Sequence, residues 1–177
     1  MSIFSPKPTS TTPQKLTTLA VQTSSYGICL GMAWGTPRIT GNLIWYGDFE
    51  AVAHKEEQGG KGGGASSTSY TYRAAFALGL LDGQISEIPR VWADKAKTTL
   101  ADLGLDLMTG APGQSPWSYL TSKHSAQALN YPGVAYVGAG SFDLGSNASL
   151  PNLAFEVTTS TAGIAGTPDA APWVIVA

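Results

Sequence analysis

Charge is scarce in this chain. Asp, Glu, Lys and Arg make up 12% of its 177 residues, and the net charge is −2, where a globular domain usually carries about 25% charged residues. No basic stripe is present, so electrostatics give no support to nucleic-acid binding. A surface poor in charge suits a protein covered by other subunits, and it also occurs in secreted β-proteins. Cysteine is nearly absent. Cys29 stands alone, which excludes an intramolecular disulfide and any Cys/His zinc spacing. The two histidines, His54 and His124, lie far apart and neither sits in an HExxH. No run approaches the ~18 apolar residues of a membrane span. The N-terminal MSIFSPKPTSTTPQK is polar and has no apolar signal core, which fits a chain made as a soluble intracellular product.

Strand signals and glycine are what the chain does have. Its length favours one domain or two small lobes, and burial of roughly 70% of the unfolded surface supports a core without staples. Residues 1–15, rich in Ser, Thr and Pro, read as a flexible N-terminal arm, and residues 16–177 as the folded part. Leu16–Ala20 suits a turn of helix or a short strand. Gly27–Trp34 is a nearly continuous apolar run, and Arg38–Tyr46 alternates up to Gly47-Asp48; both predict strands. Ser69–Leu78 predicts another, with Tyr70, Tyr72, Ala74 and Phe76 on the packed side. Leu81–Gln84 reads as a turn in which Gly83 supplies positive φ. Ile85–Ala93 reads as an edge strand or one bent at Pro89. Leu100, Leu103 and Leu107 suggest a helix within Asp94–Leu107. Ser115-Pro116 predicts the start of a second, with Trp117, Leu120, His124, Ala128 and Leu129 on one face. Gly133–Val137, Leu153–Thr159 and Trp173–Val176 predict further strands. The pattern implies a mainly β fold, a barrel or sandwich with one or two short helices.

The candidate chemistry is thin. GGKGGGASS at Gly59–Ser67 invites a phosphate-loop reading, but a P-loop needs Ser or Thr after its Lys and a helix behind it. Here Lys61 precedes Gly62, and a strand pattern follows. Residues 56–69 read instead as a flexible or subunit-contacting connector. The acids, including Asp48, form no recognisable catalytic pair, and most fall at predicted turns. No G-x-S-x-G elbow occurs. Cys29, inside an apolar run, reads as a buried inert thiol, and His124 as a packing or capping residue. The strand aromatics suit a core or an interface better than a sugar platform.

At this point the sequence resembles a known family. VQTSSYG at Val21–Gly27, GTPRITGNLIWYGDF at Gly35–Phe49, KGGG at Lys61–Gly64, TYRAAFALGLLDGQISEIPRVWADK at Thr71–Lys95, PGVAYVG at Pro132–Gly138 and LPNLAFEV at Leu150–Val157 follow one another as in the N-terminal hub region of phage tail tip proteins. These belong to lambda-like phages and gene transfer agents. The resemblance implies a structural, non-enzymatic component of the tail tip or baseplate hub, made in the bacterial cytoplasm and carried in the virion. It implies a homotrimer of β-barrel-like domains that closes the tail tube. Its neighbours would be the distal tail protein, the tape measure protein and other hub or fibre proteins. It implies no cofactor, no metal, no nucleic-acid binding and no membrane span. Family members are usually several times longer, so receptor binding is expected of another chain.

A tail-associated peptidoglycan hydrolase and a carbohydrate-binding adhesin are the alternatives. The candidate assembly residues are Trp45 and Trp92, as core or interface anchors, and Lys61, Gly62, Gly63 and Gly64 in the connector. Arg38 and Asn42 flank the turn into the second strand.

Overall fold

The computed structural model describes residues 14–17, 19, 29–57 and 66–159. Lys61, Gly62, Gly63, Gly64, residues 1–13 and Trp173–Val176 lie outside them. The described residues form eight strands, a short α-helix and a 3-10 turn. In chain order these are β1 (Arg38–Thr40), β2 (Asn42–Glu57), β3 (Ser66–Asp82), β4 (Ile85–Ala93), β5 (Ala96–Thr98), β6 (Asp106–Thr109), α1 (Ser118–Lys123), the 3-10 turn Ser125–Gln127, β7 (Val134–Gly145) and β8 (Leu153–Thr159). Two antiparallel sheets result, a smaller one in the order β1-β8-β4-β5 and a larger one in the order β2-β3-β7-β6. The fold is mainly β, as expected.

Alternation builds the core. Tyr72, Ala74, Phe76, Leu78 and Leu80 of β3 join Ala135, Val137 and Ala139 of β7, and they meet Val91 of β4 and Leu153, Phe155 and Val157 of β8. The inner faces of both sheets therefore share one apolar interior, as in a sandwich. Phe76 and Phe155 are fully buried, each contributing about 1.5–3 kcal/mol. The other face of β3 is also covered. Ala77 packs with Trp117, Leu120 and Tyr136, so α1 forms a third layer over the larger sheet.

Several expectations need correction. The run up to Tyr46 does not end at Gly47-Asp48. β1 stops at Gly41, where an added Cβ would lie 2.8 Å from Leu78 Cβ, and β2 continues to Glu57. Gly47-Asp48 instead makes a bulge, where the register with β3 shifts between Gly47 and Glu50 and Asp48 takes φ 49. Within Gly27–Trp34, Cys29–Trp34 is not strand. Cys29 is exposed rather than buried, while Leu30 lies against Gly79 of β3 and Ala33 packs on the core. The ends of the expected connector are strand too, since Glu56 pairs with Ser67 and Glu57 with Ser66.

β4 lies between β8 and β5, but β5 pairs only with Val91–Ala93, so the half of β4 that holds Pro89 is an edge, as expected. Its register with β8 shifts between Glu87 and Arg90, which accommodates Pro89 and the hydrogen bond it cannot donate. Asp94–Leu107 is not a helix. It holds β5, a turn over Thr99–Gly104 and β6, and its three leucines all pack against the main core from these separate pieces. The second helix starts later than Ser115-Pro116, with Trp117 in the N-cap position, and breaks at His124. Leu129, expected on its buried face, is 56% exposed.

The hairpin joining β4 to β5 is strained. Asp94 and Lys95 have φ 50 and φ 92, which suits a two-residue primed turn but favours Asn-Gly. Lys95→Gly is expected to raise stability by about 1 kcal/mol, read as a higher midpoint in urea.

Candidate functional site

Two surfaces gather the side chains that could matter. The first is where α1 meets the larger sheet. Gly138 and Gly140 leave the outer face of β7 bare, and Trp117 and Tyr119 lie in the trough. A Cβ on Gly138 would sit 2.6 Å from the Trp117 ring, and one on Gly140 2.5 Å from Tyr119. Trp117 stacks on Tyr119 with centroids 5.0 Å apart, and its Nε1 donates to Asp106 Oδ2 at 2.8 Å. Trp45, from β2, meets Trp117 and Tyr119 edge-on and tilts against His124 at 5.3 Å. Its Nε1 donates to Gln127 Oε1 at 2.6 Å.

A polar clasp closes this cluster. The Tyr119 hydroxyl donates to Asp48 Oδ2 at 2.5 Å, and His124 Nε2 lies 2.8 Å from the same oxygen. The β2 bulge thus holds both ends of the helical segment. Hydrogen bonds from Tyr119 first, and from His124 second, keep the Asp48 carboxyl below its ordinary range. Burial, then the hydrogen bond to Asp48, pushes Tyr119 up to about 12. Both contacts converge on one carboxylate oxygen of Asp48, so the arrangement ties two elements together. The bulge acid had read as a turn residue and the clasp was not legible. The expectation for His124 was close, since it caps α1 through its N–H to Leu120.

Because the folded-state pKa of Asp48 is lowered, the clasp's stabilisation is complete above the unfolded value of about 3.9. It is lost as pH falls through the folded value. Asp48→Asn should therefore lower the urea midpoint at pH 7, and the gap from the parent chain should close with acidification below about pH 4. For Tyr119 the folded value is raised, so its share persists below about pH 10 and fades as pH rises through about 12.

The second surface is the outer face of the smaller sheet, which no described element covers. Trp92 lies there, half-buried, with the Arg38 guanidinium 3.9 Å from its ring centroid. Across the strands, Arg90 Nη1 reaches both carboxylate oxygens of Glu156, at 2.9 and 3.0 Å. Thr40 and Lys97 are exposed beside them. Of the two tryptophans singled out by sequence, Trp45 is committed inside the chain and Trp92 faces outward. The structure does not bring them together.

At the rim of this face, Met32, Arg38, Thr40, Lys95 and Asn152 line an open groove of about 860 Å³. Its one lining carboxylate, Asp94, accepts from the Asn152 N–H at 2.8 Å. Among the described residues no three His, Cys, Asp or Glu side chains converge as a metal site, and no helix is long and apolar enough to cross a membrane.

No family model matches the chain, and no curated protein matches it. Among solved structures, the fold superposes on a chain from the virion of the native gene transfer agent particle with a TM-score of 0.55 and 25% identity. The match covers 83% of this chain and 31% of that one, so this chain corresponds to about a third of its neighbour's length. By fold and sequence together, the chain is similar to part of a virion component of a phage-like particle.

Proposed function

We propose that this chain is a structural component of a bacteriophage or prophage-derived tail tip. In this reading it belongs to the baseplate hub, acts as a homotrimer, and closes the distal end of the tail tube. Its contacts there are the distal tail protein, the tape measure protein and other hub or fibre proteins. The observation that carries the reading is the match to a gene transfer agent virion chain over 83% of the residues. The order of the sequence motifs, which resembles that of tail tip proteins, supports the hub within that coarser match.

The side chains support a structural role. The best-organised polar cluster, Asp48 with Tyr119 and His124, joins two elements of the fold. Half-buried Trp92 is flanked by Arg38 and Arg90 on the outer face of its sheet, a combination enriched where proteins meet. Gold-labelled antibody against this chain should decorate the distal end of the tail of intact particles. Label on the head, or spread along the tube, would contradict the proposal.

A further inference from the structure

We infer that copies of this chain meet head to tail, the Trp92 face of one against the acidic outer face of the β2–β3 ribbon of the next. This rests on the self-assembly reading above and names its surfaces. Two observations carry it. One is the ribbon itself. Pairing between β3 and β7 ends at Tyr72 opposite Gly145, but β2 and β3 continue in register from Ala51–Tyr72 to Glu57–Ser66. Among the described residues this stretch is two-stranded, and two strands alone are marginal in water. It gains stability by lying against another surface.

The other is charge. Strand alternation puts Glu50, Val52, His54 and Glu56 on the outer face of the ribbon and Lys55 on the opposite face. Asp143 adds a third exposed acid beside Arg73, its register partner. That patch carries three acids against one cation. The Trp92 face carries Arg38, Arg90 and Lys97 against Glu156 and Glu87, and Glu156 is already gripped by Arg90. The two surfaces are of opposite sign. Arg38 stacked on Trp92 and Arg90 held by Glu156 are preorganised, which reduces the ordering entropy lost on contact. A contact between two different faces is heterologous, and it closes into a ring when the rotation between copies allows.

The test is the oligomeric mass of the full chain by sedimentation across concentration and salt. The parent chain should associate, and 0.5 M salt should weaken association at least about tenfold, as expected for screened surface charges. Arg38→Glu with Lys97→Glu should raise the dissociation constant at least about tenfold, as should Glu50→Lys with Glu56→Lys. A chain carrying all four reversals should associate again, which separates a broken contact from a broken fold. Hydrogen exchange should show protection of β4 and of the ribbon that grows with protein concentration.

Reversal variants that assemble like the parent would overturn the inference and leave the tail-tip reading standing. Protection of β4 and of the ribbon that does not grow beyond the level their own ladder bonds give as concentration rises would also overturn it. A parent chain that stays monomeric at all concentrations would overturn it as well, whereas absence of the chain from the tail tip in labelled particles would overturn the tail-tip reading instead.

Discussion

Gly110→Ala should destabilise the fold by about 3 kcal/mol or more, the largest effect expected of any single methyl group here. Gly110 has φ 80, and a Cβ there would lie 2.7 Å from the Gly83 carbonyl oxygen, 2.9 Å from Ala135 N and 3.0 Å from Val134 C. All three are backbone atoms of elements fixed by their own hydrogen bonds, so none can swing aside as a side chain would. The position is also tied through its N–H, which donates to Gln114 Oε1 at 2.7 Å. The Gln114 amide in turn donates to the carbonyls of Asn130, Tyr131 and Val134. Shifting Gly110 therefore disturbs the end of β6, the loop before α1 and the start of β7 together. Equilibrium unfolding in urea should show a midpoint far below that of the parent chain; an unfolding free energy within about 0.5 kcal/mol of the parent's would refute this packing, since surface substitutions stay in that range.

The second large effect is expected from Gly138→Val. The added side chain would enter the space held by the Trp117 ring, which is 2% exposed and fixed by Asp106 and by stacking on Tyr119. Overpacking of this kind costs about 1–3 kcal/mol, and ejecting Trp117 removes a buried aromatic as well. We expect a loss of about 3 kcal/mol, with a red shift of tryptophan emission as the indole reaches water. Ala139→Gly, on the opposite face of the same strand, is the control. It should destabilise through the core without moving the emission.

Much of the sandwich was legible because its strands alternate. β8 was expected at its observed limits, and the start of β7 and the turn at Gly83 were also expected. The aromatic side of β3 was read correctly, but Ala75 and Ala77 give that strand a second buried face, and alanine carries little signal of which face it occupies. The leucines of Asp94–Leu107 misled because three pieces of chain can present leucines to one core at the spacing a helix would use. Gly47-Asp48 read as a strand end because bulges use the residues that turns use.

The site was less legible than the fold. Trp45 and Trp92 stood out by residue type, but only folding shows that Trp45 is locked by Gln127 and the α1 aromatics while Trp92 faces out under Arg38. The clasp joins Asp48 to a histidine many residues later, and Gly138 matters only because Trp117 lies on it. No local pattern encodes either contact. The expected assembly residues Lys61 to Gly64 lie outside the described residues.

The central claim is position and role in a particle. A reconstruction of the intact particle's tail tests it most directly. The account predicts three copies of this chain around the axis at the distal end of the tube, with the Trp92 face of each against its neighbour's ribbon. Density for this chain in a six-fold ring along the tube, or in the capsid, would contradict it.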